Sequence, residues 1–151
     1  MPDMSEAIFA SINTLYVNDT GAGGLNETDG DAQVRHFIRQ GDPNFSQDRT
    51  YNWPLVSVGV FNNESRVFTK RRVEAIVRMS LFTNRDDNTS GLTRQYDVAQ
   101  RMYELFDGAT LTAQTGVAFS LLNQLRDFQG PSSGVELHRV FEYSVYPIAT
   151  G

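Results

Sequence analysis

A change in the spacing of apolar residues constrains the fold of this chain more than any other feature. In residues 53–61 (WPLVSVGVF) Val56, Val58 and Val60 stand at every second position. Successive side chains of a β-strand point to opposite faces, so this period predicts a strand. The same period returns in residues 66–83, on Val73, Ala75, Val77, Met79 and Leu81. With a turn at residues 62–65, the two segments predict a long antiparallel hairpin.

Two other segments follow the 3.6-residue period of an amphipathic helix. In residues 4–17 the periodic positions are Ile8, Ile12, Leu15 and Tyr16. In the second segment they are Tyr96, Ala99, Met102, Tyr103 and Phe106, followed by the stop signal Asp107-Gly108. Both segments are therefore predicted to be helices.

The remaining apolar segments complete a single domain over residues 1–151. Residues 34–40 predict a short strand, and residues 117–127 alternate on Val117, Phe119, Leu121 and Leu125 before a second alternating segment at 135–147. The last two segments predict a closing hairpin. This order of elements predicts an α+β fold of two layers, in which two helices pack on one face of a mainly antiparallel or mixed sheet.

Composition excludes several classes of protein. The 151 residues are 40% hydrophobic, which is enough for one core, and include no cysteine, which excludes disulfides, thiolate nucleophiles and iron–sulfur clusters. The formal net charge of -5 opposes nonspecific attraction to nucleic acid. The acidic N-terminus does not resemble a signal peptide, and no apolar run reaches the roughly 18 residues of a membrane span, so a soluble protein is expected.

A glycine-rich acidic stretch, residues 20–31 (TGAGGLNETDGD), raises the question of a phosphate or metal site. A phosphate-binding P-loop needs a lysine after its glycines, whereas here Leu25-Asn26-Glu27 follows Gly24. Glu27, Asp29 and Asp31 alternate as in part of a calcium loop but lack the EF-hand order, which leaves a weak cation site as the alternative. The favoured interpretation is a flexible, solvated connection that orders against a neighbour.

No catalytic constellation is recognisable in the sequence. The two histidines, His36 and His138, are far apart in the chain and both lie in predicted strands. The dense basic run Lys70, Arg71 and Arg72 suits either contact with phosphate or an acidic partner, or a solvated strand end or hairpin edge that discourages aggregation. We therefore expect no enzyme activity, no cofactor and no metal.

The layout of the chain resembles a known family. An opening helix, the strand at residues 53–61, a second strand ending at 80–84 (SLFTN), the helix at 96–106 and a last hairpin ending at 141–148 (FEYSVYPI) look like the tail-terminator or tail-completion proteins of long-tailed bacteriophages. The resemblance covers nearly the whole chain, apart from the loops at 20–31 and 110–116.

This resemblance implies a structural virion protein. It implies a homo-oligomeric ring, expected to be a hexamer, that caps the tail tube, ends tail polymerisation and docks to the head connector. Such a ring lies at the tail–neck junction of the virion after assembly in the host cytoplasm. DNA is expected to pass through it without specific binding, and no membrane, cofactor or reaction is implied.

Two groups of residues are candidates for contacts in such a ring. Glu27, Asp29 and Asp31 are predicted to form an inter-subunit or lumen loop, and Lys70, Arg71 and Arg72 to make polar contacts with a neighbouring subunit or ring. Three alternatives stay open: a head-side connector or stopper protein, a small-molecule binding module with an apolar pocket, and an enzyme whose acidic residues are assembled by folding.

Overall fold

The computed structural model describes residues 5–27, 34, 36–39, 54–67, 70–84, 91–111, 117–130, 136–145 and 148–149. Within them the helices are α1 (Ser5–Val17) and α2 (Gly91–Phe106). The strands are β1 (His36–Arg39), β2 (Leu55–Val67), β3 (Lys70–Asn84), β4 (Thr110–Leu111), β5 (Val117–Gln129), β6 (Glu136–Val145) and β7 (Ile148–Ala149). The α+β fold class predicted from the sequence is confirmed.

The five main strands form one mixed sheet in the order β1-β2-β3-β6-β5. Only the β1–β2 pair is parallel among the pairs of the described strands, and the two-residue strands β4 and β7 both pair with β5. The mainly antiparallel, mixed character of the sheet is thus as predicted. That both helices cover the same face of the sheet stays a prediction.

One hydrophobic cluster joins both helices to alternating positions of three strands. Its members are fully or almost fully buried and include Ile8 and Ile12 of α1, Val98, Ala99, Met102 and Phe106 of α2, and Val56, Val58, Ala75, Val77, Met79, Leu81, Phe141, Tyr143 and Val145 of the sheet. We call the sheet face that carries these residues the core face. The period-two valines of the sequence therefore mark the core, as the alternation of a strand requires.

Stacked aromatic rings connect the short parallel strand to both helices. The Phe37 ring of β1 stacks on Tyr16 of α1 at a centroid distance of 4.6 Å and on Phe106 of α2 at 6.0 Å. The Tyr16 hydroxyl donates a hydrogen bond to the Val34 carbonyl at 2.9 Å. These contacts hold β1 at the edge of the sheet.

The turn predicted at residues 62–65 is wrong. Strand β2 continues through these residues, which pair with β3 up to Val67, the register partner of Lys70. Cross-strand pairing therefore overrides the turn preference of the asparagine-rich sequence. The hairpin itself is as predicted, but it is longer and reverses direction between Val67 and Lys70.

Two predicted core positions are exposed instead. Tyr96 is 53% exposed, and the interior position at this level of α2 is taken by Gln95, which is fully buried. Leu125 is 56% exposed because the β5–β6 register shifts between Gln124 and Arg126, which leaves Leu125 as an extra residue in a bulge. The strict alternation predicted for β5 fails at this point.

Candidate functional site

In the part that the structure describes, residues 20–27, the glycine-rich stretch forms a hydrogen-bonded turn. The Asp19 carbonyl accepts a hydrogen bond from the Asn26 amide at 3.0 Å, and the Leu25 carbonyl accepts one from the Val34 amide at 3.0 Å. Leu25 and Val34 are fully buried. The expectation of a solvated connection agrees with the exposure of residues 20–23 but is wrong for Gly24 and Leu25, which are buried, so that Leu25 anchors the turn in the core.

A carboxylate organises this turn from the inside. Asp19 Oδ2 accepts hydrogen bonds from the Leu25 amide at 2.8 Å and from Arg101 Nε at 2.9 Å, and Arg101 Nη2 contacts Asp19 Oδ1. Burial alone would raise the pKa of Asp19, but the bonds from Arg101 and Leu25 and the charge of Arg101 outweigh it, so the pKa is lowered. The hydrogen bond to Asp19 also raises the pKa of Arg101 above its ordinary value. This arrangement is a structural clamp, since the donors at the carboxylate are already provided by the chain.

The acidic residues predicted to form an inter-subunit or lumen loop are only partly described. Glu27 is half-buried directly after the turn, whereas Asp29 and Asp31 lie outside the described residues. Within the described part of the chain, no group of three or more histidine, aspartate or glutamate side chains is arranged to hold a metal ion.

The two histidines do not share a site. His36 is the register partner of Leu55, Leu55 of Phe82, and Phe82 of His138, so the two histidines lie in one row with two strands between them. Three strand spacings separate them by about 14 Å. The His138 ring stacks on Phe82 at a centroid distance of 4.4 Å, which is a packing role.

The face of the sheet opposite the core face carries a row of charges. Glu142 is 6% exposed, and its carboxylate accepts hydrogen bonds from Arg78 Nη2 at 3.3 Å and from Arg126 Nε. The Arg126 guanidinium also lies 4.6 Å above the centre of the Phe128 ring. Two arginines thus share one buried carboxylate, and this row has a net positive charge on an acidic chain.

A second polar cluster ties α2 to the end of the closing hairpin. Arg139 donates to both carboxylate oxygens of Asp127, at 2.8 and 2.6 Å, and to the Tyr103 hydroxyl at 3.1 Å. The hydrogen bonds to Asp127 raise the pKa of Arg139. Every described charge in this cluster has a partner, so it positions α2 on β6.

A cleft lies where α1 begins, beside β1 and β2. It has a volume of about 390 Å³ and is lined by Ser5, Glu6, Phe9, Arg39, Val58, Gly59, Val60 and Phe61. Arg39 spans its polar side, with an ion pair to Glu6 at 2.7 Å and its guanidinium 4.6 Å above the Phe9 ring. The cleft combines apolar walls with one ion pair.

The basic run predicted for partner contacts lies at the far end of the long hairpin. The structure describes the backbone of Lys70, Arg71 and Arg72 as the first residues of β3, paired with Val67, Arg66 and Ser65. Contact of these residues with a partner stays a prediction. The sequence analysis missed the Asp19–Arg101 pair and the row around Glu142, because no local pattern reports contacts between residues so far apart in sequence.

Comparison with known proteins gives no family for this chain: no protein-family model and no curated protein sequence matches it. Within the described residues, no helix is long and apolar enough to cross a membrane. The function therefore has to be inferred from the residues and their geometry.

Proposed function

We propose that this protein is a structural subunit of a bacteriophage tail, a tail terminator that forms a ring on the end of the tail tube. The ring, a hexamer by resemblance, ends tube polymerisation and presents the surface that docks to the head connector. The protein performs no chemistry in this role. Its partners are further copies of itself, the tail-tube protein and the head connector.

One structural observation carries the proposal, namely the long β2–β3 hairpin in a sheet that is open at its edges. Strand β1 pairs only with Leu55–Val58, so the rest of the outer edge of β2 pairs with no described strand. Open strand edges offer unpaired backbone groups to a neighbouring chain. A closed ring uses such edges and the surfaces beside them in contacts between subunits.

The order of elements supports the same function. The fold class, the opening helix, the long hairpin, the second helix and the closing hairpin follow the layout on which the family resemblance rests. The acidic chain, with a net charge of -5, also suits a channel through which DNA must pass without binding to the wall. Glu27, Asp29 and Asp31 remain the proposed acidic loop of that channel or of the subunit contact.

The proposal is tested by adding the purified protein to tail-tube protein encoded in the same genome while the tubes polymerise. The expected result is shorter tubes, each with a ring at one end in negative-stain images, and no effect on tubes of an unrelated phage. Tubes of unchanged length without rings would exclude the terminator function. Binding to the head connector alone would identify a head-side stopper protein instead.

The cleft beside α1 favours a second candidate, a small-molecule binding module. Its volume of about 390 Å³ lies in the range of ligand pockets, and its lining combines Phe9, Val60 and Phe61 with the Arg39–Glu6 pair. A ligand screen by thermal unfolding separates the two functions. A compound that raises the Tm of the wild-type protein, but not of a Val60→Trp variant that fills the cleft, would support binding.

A further inference from the structure

The end of the β2–β3 hairpin extends beyond the sheet as a two-stranded ribbon. Pairing of β3 with β6 stops at Ala75 and Val145, whereas β2 and β3 continue to pair from Asn63 and Glu74 out to Val67 and Lys70. We call the residues 63–67 and 70–74 the ribbon. No described strand pairs with either of its outer edges. Because a two-stranded ribbon by itself is only marginally stable in water, this part of the chain is suited to contact with a partner.

The ribbon is basic on an acidic chain. It contains four cations, Arg66, Lys70, Arg71 and Arg72, and two anions, Glu64 and Glu74, which gives a net charge of +2. A surface of net negative charge would complement the ribbon by electrostatic attraction.

The outer side of α2 provides an anionic surface of matching character. Asp97, Gln100 and Glu104 are exposed and spaced by three and four residues, so they form one stripe on the side of α2 opposite its buried residues, and the exposed Asp107 follows directly after the helix. We call them the acidic stripe. At the start of α2, Leu92 (42% exposed) and Tyr96 (53% exposed) add apolar area beside the stripe.

The position of the stripe on the helix makes a cationic partner favourable. The last turn of α2 contains no basic residue. Arg101, one turn earlier, contacts Glu104 at 3.2 Å but also forms an ion pair with Asp19. The C-terminus of a helix has a partial negative charge, so Glu104 and Asp107 are electrostatically unfavourable there. A cation from outside the chain would offset both the helix dipole and these two carboxylates.

The ribbon continues β2 and β3 beyond the last residue pair that joins β3 to β6. The stripe lies on α2 and directly after it. In a contact between two copies of the chain, the ribbon of one would meet the stripe of the other. Because the two surfaces are different, the contact is head-to-tail and generates a closed ring or an open filament when it is repeated.

We propose that the ribbon of one copy docks on the acidic stripe of the next copy, with Lys70, Arg71 and Arg72 against Asp97, Glu104 and Asp107. The inference rests on the proposed function, since it names the contact between neighbouring subunits of the ring. It makes a second copy of this chain, and not nucleic acid, the partner of the basic run.

Charge reversal tests the contact because the contact pairs cations of one copy with anions of the next. A ribbon variant carries Lys70→Glu, Arg71→Glu and Arg72→Glu, and a stripe variant carries Asp97→Lys and Glu104→Lys. Sedimentation velocity measures self-association, and thermal unfolding followed by circular dichroism verifies that each variant is folded. Each variant alone is expected to raise the dissociation constant at least about tenfold, which corresponds to about 1.4 kcal/mol.

The decisive measurement is the mixture of the two variants. The reversed ribbon of the first matches the reversed stripe of the second, and their unchanged surfaces match as well, so an equimolar mixture should associate in alternating order like the wild type. A chain that carries all five substitutions should also associate. Asn18→Lys, on an exposed residue directly after α1 and outside the stripe, serves as control and should leave association unchanged.

Each other outcome overturns the contact. Wild-type protein that stays monomeric up to about 1 mM has no such contact, since a specific interface of ordinary size is populated well below this concentration. Variants that associate like the wild type, or a mixture that does not, exclude the ribbon–stripe pairing. If the ribbon variant loses binding to tail tubes and the stripe variant keeps it, the tube protein is the partner of the ribbon. If any of these results is found together with rings on tube ends, the proposed function holds and only the ribbon–stripe contact is excluded.

Discussion

Asp19 and Arg101 stand 82 residues apart in the chain and form an ion pair that holds the turn after α1 against α2. The Asp19 side chain is 6% exposed and the Arg101 side chain 32%. The same carboxylate accepts the Leu25 amide at 2.8 Å, so one acidic group organises the turn and connects it to the second helix. Replacing one residue of a partly buried ion pair lowers the stability of the fold, because the charge of the other residue stays partly buried without its partner.

The first prediction follows from this pair. Asp19→Asn keeps an oxygen for the Leu25 amide but removes the buried anion of the Arg101 guanidinium and leaves it only the exposed Glu104, so the free energy of unfolding should fall by about 2 kcal/mol. Urea unfolding measures it. The control Asp97→Asn removes an exposed carboxylate and should change stability by less than about 0.5 kcal/mol. Equal losses in the two variants would contradict the role assigned to the pair.

The second prediction concerns the dependence of stability on pH. A carboxyl group with a lowered pKa in the folded chain stabilises the fold above its unfolded value, about 3.9, and this stabilisation is lost as the pH falls through the folded value. The pKa of Asp19 is lowered, so the stability difference between the wild type and Asp19→Asn should be constant from about pH 7 to about pH 5 and should shrink below about pH 4. Urea midpoints measured across this range give the difference. A difference that persists unchanged at pH 2.5 would show that Asp19 is not the titrating group.

The alternation of apolar residues predicted much of the fold, because periodicity reports which side of an element faces the core. Val56, Val58, Met79 and Leu81 are buried on one sheet face as their spacing required. The same reasoning failed at Leu125, since a bulge inserts one residue and reverses which side chains face inward. A bulge depends on pairing with another strand and has no signal in the strand's own sequence.

The candidate surfaces were predictable only in part, for a related reason. The run from Lys70 to Arg72 was recognisable as a dense local charge. The row of Arg78, Glu142 and Arg126 brings together side chains from three strands. Any two of these residues are at least 16 positions apart in the sequence. Tertiary pairing creates such a row, so composition and spacing along the chain cannot reveal it.

The third prediction concerns the glycines of the turn. A Cβ added to Gly24 would lie 2.9 Å from the carbonyl carbon of Asp19 and 2.9 Å from the carbonyl oxygen of Gly21, and both of these are backbone atoms that cannot move aside cheaply. Gly24→Ala should therefore lower the free energy of unfolding by about 2 kcal/mol. Gly21→Ala is the matched control, since a Cβ there meets no atom within 4 Å. It should be neutral or stabilising by about 0.5 kcal/mol, because it restricts the unfolded chain, and a larger loss from Gly21→Ala than from Gly24→Ala would refute this account of the turn.

The fourth prediction compares two tyrosines whose hydroxyl groups have opposite surroundings. The Tyr143 hydroxyl is buried in the core and makes no hydrogen bond with the described residues, whereas the Tyr16 hydroxyl donates to the Val34 carbonyl at 2.9 Å. Burial raises the pKa of both, and the nearby Asp107 and Asp127 carboxylates raise that of Tyr143 further.

Replacement by phenylalanine should therefore change stability with opposite signs. Tyr143→Phe removes a buried donor that has no acceptor, so it should be neutral or stabilising by up to about 1 kcal/mol. Tyr16→Phe leaves the Val34 carbonyl without its donor and should destabilise by about 1 kcal/mol, which also weakens the attachment of β1 to α1. Urea unfolding of the two variants under one set of conditions provides the comparison. If Tyr143→Phe is the more damaging of the two, its hydroxyl has an acceptor in solution, and the core around it differs from the one described.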